Sequence, residues 1–526
     1  MLLISFPYWI QHWAKSTPAK TAIVFNGRQI SYAELENGID RLTTVLQHDL
    51  GIGPGDRVAW LGNNSPRVIE ALFACARIGA VLVPLNWRLA VPELKHVIDD
   101  AGASLLIVGE DQLEAAITIS GQLENCQPVH AYTAQAQGAH DCEEGQTGSR
   151  CDSWPAIQKL QDQGLGACSD QSDRSDNPVL ILYTAGTTGQ PKGVVLTQDA
   201  LAGSARNSVA MHGMTAEDRI LMVLPMFHAG GFNIQTLSAL FVGASIYLEE
   251  GFEPGKALRQ IEYCKPTLTG LVPAQILAMV AHPDWTATNV SSLRSVTTGS
   301  TFVPEACIDV WVDRGVTALQ VYGATETCAV AIHQNCENAV VTKGSVGFAA
   351  ENCEVRIVGD DLHDVAVGIH GVILVKGPNV FKEYWRNPSA TAEALNEGWF
   401  YTGDIGYQRP DGSYVISGRQ ADLIISGGEN IYPAELEVIL NEHPEIVEAA
   451  VIGLTDDRWG EVPVAVIVIS NDSKLDQKAV LGLFEDRLAR FKWPKQVMMV
   501  DGLPRNAMGK VQGFELRQLI AKHRKS

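Results

Sequence analysis

Between Val179 and Leu196 two apolar runs enclose a stretch rich in Gly and Thr that ends at Lys192. Gly186 and Gly189 let backbone N–H groups turn toward an anion with no Cβ in the way. Thr184, Thr187 and Thr188 add hydroxyl donors, and Lys192 adds a mobile positive charge. Residues of these types at this spacing bind phosphate. The usual P-loop is excluded: Lys192 has the right spacing from Gly186, but Pro191 and Gly193 stand where Gly and Ser/Thr are required. The flanking runs, Val179–Tyr183 and Val194–Leu196, read as strands, so the loop is a hairpin flap over a polyphosphate, not a helix N-terminus. An ordinary Gly/Thr hairpin turn is the competing account of these residues taken alone.

Further along stand Val321-Tyr-Gly-Ala-Thr-Glu-Thr327, Tyr401-Thr-Gly-Asp-Ile-Gly406, Gly418-Arg-Gln-Ala-Asp-Leu-Ile-Ile-Ser-Gly-Gly-Glu-Asn430 and Pro504-Arg-Asn-Ala-Met-Gly-Lys510. With the Gly/Thr loop these five motifs, in this order, resemble those of the adenylate-forming superfamily: acyl-CoA synthetases, non-ribosomal peptide adenylation domains and luciferases. The likeness runs from about Ser31 to Leu516 and is strongest to the acyl-CoA synthetases.

The resemblance implies a reaction with definite needs. A carboxylate is a poor electrophile; attack on the α-phosphate of ATP makes it an acyl-AMP, pyrophosphate leaves, and a thiol then displaces AMP. The first step gathers negative charge and needs cations, a metal and a dry site. By resemblance Thr184, Ala185, Gly186, Thr187, Thr188, Gly189 and Lys192 hold the β- and γ-phosphates. One Lys–phosphate pair at about 4 Å contributes roughly 4 kcal/mol at an effective dielectric near 20, before desolvation. Glu326 resembles the Mg²⁺-binding carboxylate, and Mg²⁺ takes one or two protein carboxylates beside substrate phosphates. Thr325 contacts the α-phosphate; Tyr322 and Gly323 lie at the adenine, with Gly299, Ser300 and Thr301 opposite. Asp404 accepts from both ribose hydroxyls, Arg419 supports the ribose, and Lys510 bridges attacking carboxylate and α-phosphate. Gly427 and Gly428 line the pantetheine tunnel, Trp459 and Lys492 lie near coenzyme A, and His228 gates the acyl tunnel.

Each of these residues also has a plain reading. Glu326 could be a helix-start acid, Asp404 a turn residue, Lys510 a solvated lysine, Trp459 packing and His228 a core histidine. Two positions depart from the family pattern. Ala185 replaces a Ser of the phosphate loop, and Ala421 stands where the hinge usually has Asp or Lys. A pivot is a backbone torsion, so Ala still permits it. A stand-alone adenylation enzyme serving a carrier protein and an inactive binding homologue remain as alternatives. The small residues of His228-Ala-Gly-Gly-Phe-Asn233 favour a medium-chain or aromatic monoacid.

The elements that must position these residues follow from the rest of the chain. At 526 residues it exceeds one core, so more than one domain is expected. A formal charge of −20 argues against nucleic acid and leaves anionic ATP and CoA to local cations. No run reaches the roughly 18 apolar residues of a membrane span, and Met1–Ile10 lacks a basic n-region. Ten Cys without C-x-x-C or metal-like spacing fit a reduced, cytoplasmic protein. Homodimerisation is left open.

Ser31 and Glu34 have capping-box spacing for a helix to about Leu50, and Ser65-Pro66 starts another ended by Gly79. Strands are expected at 57–61, 81–84, 104–108, 220–224, 271–272, 295–298 and 319–322, with helices at 92–100 and 199–211. That alternation is an α/β body of doubly wound parallel sheet, followed by a β-rich module at 401–416. The polar stretch 134–177 reads as a surface excursion with a short helix at 154–161. Residues 1–418 then form an N-terminal ATP- and acid-binding domain and 419–526 a mobile α+β lid, with helices at 434–441 and 476–489.

Overall fold

The structure, a computed structural model, describes residues 4–123, 126–130, 175–184, 191–301, 303–427, 429–456, 458–470, 473–485, 487–505 and 511–523. The helix expected at 154–161 lies outside the described residues.

Two large sheets carry the body. In one, strands run edge to edge as Glu383–Tyr384, Lys192–Thr197, Pro178–Thr184, Val81–Pro84, Arg57–Leu61, Leu105–Val108 and Gln127–His130. In the other the order is Phe348–Ala349, Ile332–His333, Thr317–Tyr322, Ser295–Gly299, Leu268–Gly270, Arg219–Met222, Ser245–Leu248, Thr21–Phe25 and Arg28–Ser31. Both are parallel at the centre; the second is antiparallel at both rims, the first only on its Glu383–Tyr384 side, since Gln127–His130 pairs in parallel with Leu105–Val108. Parallel strands must be covered on both faces, and alternate residues show how. Val58, Trp60 and Leu82 of the first sheet share a core with Ile220, Met222 and Ile246 of the second. Ala59, Leu61, Val81 and Val83 face outward onto helix Val91–Ala101, and Leu221 and Val296 face helix Pro254–Cys264.

Helix Pro66–Ile78, in the core the two sheets share, is buried on nearly every side. It buries all its residues except Arg67, starts on the Ser65 cap and stops where Gly79 turns left-handed at φ +72°. Tyr32–Thr44 opens on the full Ser31/Glu34 capping box, but its last expected turn, Val45–Asp49, is a π-helix.

A third sheet joins Glu354–Val358, Gly371–Lys376, Trp399–Gln408 and Tyr414–Arg419 into the β-rich module. Beyond it, strands Ile424–Ser426, Glu429–Ile431, Ile446–Asp456, Gly460–Ile469 and Gln496–Met499 with helices Pro433–Asn441 and Gly513–His523 form the α+β unit. The architecture is the expected mixed α/β body, β-rich subdomain and small C-terminal domain.

Several expected boundaries move. The strand placed at 271–272 is Leu268–Gly270, because Pro273 opens the next helix and holds Val272 extended. The strand placed at 220–224 is Arg219–Met222, shortened before the loop that Pro225 begins. The helix placed at 476–489 is only Gln477–Gly482, capped by Asp476 and ending on a glycine that weakens the next turn.

Candidate active site

The phosphate flap is built as a strand pair, with Thr184 directly opposite Lys192 and Tyr183 opposite Gly193. Ala185, Gly186, Thr187, Thr188 and Gly189 lie outside the described residues, as do Gly428 and Lys510. On its other edge Lys192–Thr197 pairs with Glu383–Tyr384, which brings Tyr384 opposite Val194. The Lys192 ammonium then sits 5.1 Å from the centre of the Tyr384 ring, a cation–π distance. The Tyr384 hydroxyl donates to Glu326 Oε1 at 2.7 Å. Burial, then the Glu326 charge, pushes that phenol well above its ordinary range, so it remains a donor.

Glu326 projects from a single 3₁₀ turn, Thr325–Thr327, just after the Thr317–Tyr322 strand. The turn is held from several sides. Phe381 N–H donates to the Glu326 carbonyl at 2.8 Å, Asn379 Nδ2 donates to the Thr327 carbonyl at 3.0 Å, and Thr327 Oγ1 accepts from Ala324 N–H at 2.8 Å. Cys328 and Ala329, both left-handed at φ +50° and +77°, then fold the chain back. Their return leaves no room above Gly323, where a Cβ would meet the Ala329 carbonyl oxygen at 2.3 Å.

A second cluster forms on the β-rich module. Asp404 and Arg419 are direct cross-strand partners on Trp399–Gln408 and Tyr414–Arg419. Arg419 Nε donates to Asp404 Oδ1 at 2.9 Å, and the Tyr322 hydroxyl donates to Asp404 Oδ2 at 2.6 Å. Asp404 is buried while half of the Arg419 side chain is exposed. The Asp404 charge raises the Arg419 guanidinium above its usual range, and burial followed by Asp404 raises the Tyr322 phenol. Arg419 also feels the Glu326 carboxylate, so the two clusters share one electrostatic neighbourhood. Gly299 ends the Ser295–Gly299 strand opposite Val321, and Ser300 and Thr301 follow it, both exposed, with Ser300 at φ +73°. These positions lie past the carboxyl ends of parallel strands, where open α/β sheets bind ligands.

His228 lies partly exposed on the strap after Pro225, its ring 5.6 Å from that of Phe227. Asn64 pins the strap, donating to the Leu224 carbonyl at 2.9 Å and accepting from Met226 N–H at 2.8 Å. A π-helical segment follows, Gly230–Thr236, and Gly231 is packed so tightly that a Cβ would meet the Pro225 carbonyl oxygen at 2.2 Å. In the C-terminal unit Gly427 turns at φ +61° and donates its N–H to the Trp459 carbonyl at 2.7 Å. The Trp459 ring covers Gly427, 2.7 Å from where a Cβ would stand, yet 42% of Trp459 is exposed. Lys492 is paired with Glu435 at 2.5 Å.

The structure thus brings Lys192, Glu326, Thr325, Tyr322, Asp404 and Arg419 together and keeps Gly427, Trp459 and Lys492 on the C-terminal unit. Tyr384 and Asn64 escaped the sequence reading because neither sits in a recognisable motif. The model of the AMP-binding enzyme family matches residues 10–385, and that of the AMP-binding enzyme C-terminal domain matches residues 435–510.

The chain belongs to the AMP-binding enzyme family.

Among its relatives, an indoleacetate–CoA ligase of Aromatoleum aromaticum is 45% identical over 98% of both chains. The o-succinylbenzoate CoA synthetase of Bacillus subtilis, solved with an acyl-adenylate intermediate, superposes with a TM-score of 0.83 at 29% identity, covering 98% of this chain and 99% of that one. ATP-bound MatB from Rhodopseudomonas palustris gives 0.86 at 30% identity over 98% and 99% of the two chains. With this family membership the chain is an ATP-using, AMP-forming acid–thiol ligase of the acyl-CoA synthetase type. No helix among the described residues is long and apolar enough to cross a membrane.

Proposed function

We propose that this ligase activates an aromatic monocarboxylic acid and passes the acyl group to coenzyme A, with residues 1–418 building the nucleotide site and 419–526 acting as a lid. The observation that carries the reading is the 45% identity, over 98% of both chains, to an indoleacetate–CoA ligase. The apolar and glycine-rich segment around His228 supports it: Leu224, Phe227, Gly230, Gly231 and Phe232 offer flat space, and the Arg88 guanidinium beside them is stacked over the Phe227 ring at 5.7 Å.

In this reading the Gly/Thr flap and Lys192 hold the β- and γ-phosphates, and Thr325 meets the α-phosphate. Asp404 takes the ribose. An ionised carboxylate has about four acceptor sites, and Tyr322 and Arg419 engage one on each oxygen. One site per oxygen remains for the two ribose hydroxyls. Tyr322 and Gly299–Thr301 flank the adenine, and Lys510 bridges the attacking oxygen and the α-phosphate.

Glu326 fits Mg²⁺, since Tyr384 occupies only Oε1 and a hydrated ion shared with substrate phosphates needs little more from protein. Such an ion would neutralise phosphate charge. The acid oxygen bonds to the α-phosphorus as the bond to pyrophosphate breaks. The lid then turns, Gly427 and Gly428 admit the thiol beside His228, sulfur bonds to the acyl carbon, and AMP leaves. Lys492, paired with Glu435 of the same unit, travels with the lid and meets CoA phosphates by exchanging that carboxylate for them. The reaction belongs to a cytoplasmic enzyme.

An acid panel tests this, with AMP and thioester as readouts. Indoleacetic, phenylacetic or hydroxycinnamic acids are expected to exceed acetate, octanoate and malonate by at least about tenfold in kcat/KM. Efficient turnover of only the aliphatic acids or the diacid would overturn it.

A further inference from the structure

Behind the His228 strap lies a polar group that the reaction above does not use. His212 closes helix Gln198–His212 and is buried. Its Nδ1 is 2.8 Å from the Ser208 carbonyl oxygen, which can only accept, so Nδ1 carries the hydrogen. Burial lowers the imidazole to about 4, so the ring is neutral and Nε2 presents a bare lone pair. Two groups face that lone pair: Thr297 Oγ1 at 2.7 Å and Gln235 Nε2 at 3.2 Å. The amide of Gln235 is therefore oriented with its NH₂ toward His212 and its oxygen away.

That oxygen is left over. Gln235 is 1% exposed, and its Oε1 meets no donor among the described residues. It lies 3.4 Å from where a Cβ of Gly270 would be, and Leu224 Cδ1 lies 3.3 Å from the same point. Leu224 Cδ1 is also 4.0 Å, and Ile234 Cδ1 3.9 Å, from the Cβ position of Gly230, two residues beyond His228. Gly230 and Gly270 contribute no side chain of their own, so the tip of Leu224 is what lies beside both and next to the Gln235 oxygen, while His228, Gly230 and Ile234 keep partial exposure. A buried acceptor without a donor is unfavourable, and a ligand that supplies the donor recovers the loss.

We propose that Gln235 Oε1 is a specificity contact at the inner end of the acid pocket, selecting aromatic acids whose ring carries an N–H or O–H donor. The inference rests on the proposed aromatic-acid function and narrows it. His212 and Thr297 act as positioning residues, because they decide which end of the amide faces the ligand.

Matched acids that differ only in the donor test it: indole-3-acetate against 1-methylindole-3-acetate, 4-hydroxyphenylacetate against 4-methylphenylacetate, and 4-hydroxycinnamate against 4-methylcinnamate. Each is measured as kcat/KM for AMP formation with the full chain and with Gln235→Met, which keeps the volume and removes the acceptor. The expected result is at least about a tenfold preference for the donor member of one pair, falling to within about threefold in Gln235→Met. Each ratio compares two acids on one preparation, so a loss of folded protein in the variant cancels. Equal treatment of all pairs by the natural chain, or an unchanged preference in Gln235→Met, would overturn the inference. Turnover of none of these acids would instead overturn the aromatic-acid reading, and this inference with it.

Discussion

Tyr384 stands between the two opposite charges that an ATP site must manage. Its ring faces the Lys192 ammonium at 5.1 Å and its hydroxyl donates to Glu326 at 2.7 Å. Tyr384→Phe keeps the ring and removes only the bond to the carboxylate. A hydrogen bond to a charged group contributes about 1.5–3 kcal/mol, so KM for ATP in pyrophosphate exchange should rise roughly tenfold or more; unchanged exchange kinetics would contradict the link. Lys510→Ala should abolish adenylate formation yet spare thiolysis of a supplied acyl-AMP, and equal loss of both half-reactions would refute its role. The charged residues of this site were legible in the sequence because each sits in a motif whose neighbours restrict its meaning. Tyr384 was not, since a two-residue edge strand carries no periodicity. Nor was Gln235, whose significance depends on a histidine tautomer in another helix.

Among elements, the Thr317–Tyr322 strand and the 3₁₀ turn after it are packed most closely. A Cβ at Gly323 would meet the Ala329 carbonyl oxygen at 2.3 Å, a backbone atom that cannot swing aside. Gly323→Ala should destabilise the body by about 1–3 kcal/mol in denaturant titrations and displace Glu326; unchanged stability would contradict this packing. Helix Gln198–His212 carries a pH signature. The folded imidazole of His212 titrates at about 4 against an ordinary 6.5, so the unfolded chain binds the extra proton between these values. Stability contributed by the neutral ring is complete above 6.5 and is lost as the pH falls toward 4, by up to about 3 kcal/mol. A histidine-labelled NMR titration should find His212 neutral at pH 5.5; protonation near 6.5 would contradict its burial. Elements with strong punctuation were legible: Ser65-Pro66 and Gly79 bound a helix in both sequence and structure. Where an apolar run continued into a proline, as at Leu268–Pro273, pattern alone could not locate the end of the strand.

At the scale of the whole molecule, a deep two-sheet body meets a smaller C-terminal unit. His370 of the β-rich module stacks on Tyr407 with ring centres 4.9 Å apart and tilts against Tyr432 at 4.6 Å, which ties that unit in its present position. If lid rotation separates the two half-reactions, Gly427→Ala should act on only one of them. Its Cβ would strike the Trp459 ring at 2.7 Å, at a φ of +61° that alanine resists. Thioester formation should fall at least about tenfold while adenylation stays within about twofold; equal loss of both would remove the lid from the account. The order of domains was legible because the motifs occur in sequence along the chain, whereas the contact through His370 joins residues with no shared pattern.

The central claim is that the Lys192–Tyr384–Glu326 and Tyr322–Asp404–Arg419 clusters hold one ATP on which a carboxylic acid is adenylated before any thiol acts. Acid-dependent exchange of labelled pyrophosphate into ATP, run without coenzyme A, tests it most directly. The account predicts exchange that requires an aromatic acid, is lost in both Glu326→Gln and Asp404→Asn, and gives way to AMP and thioester when coenzyme A is added. ATP turnover with no exchange, or full exchange in either variant, would contradict it.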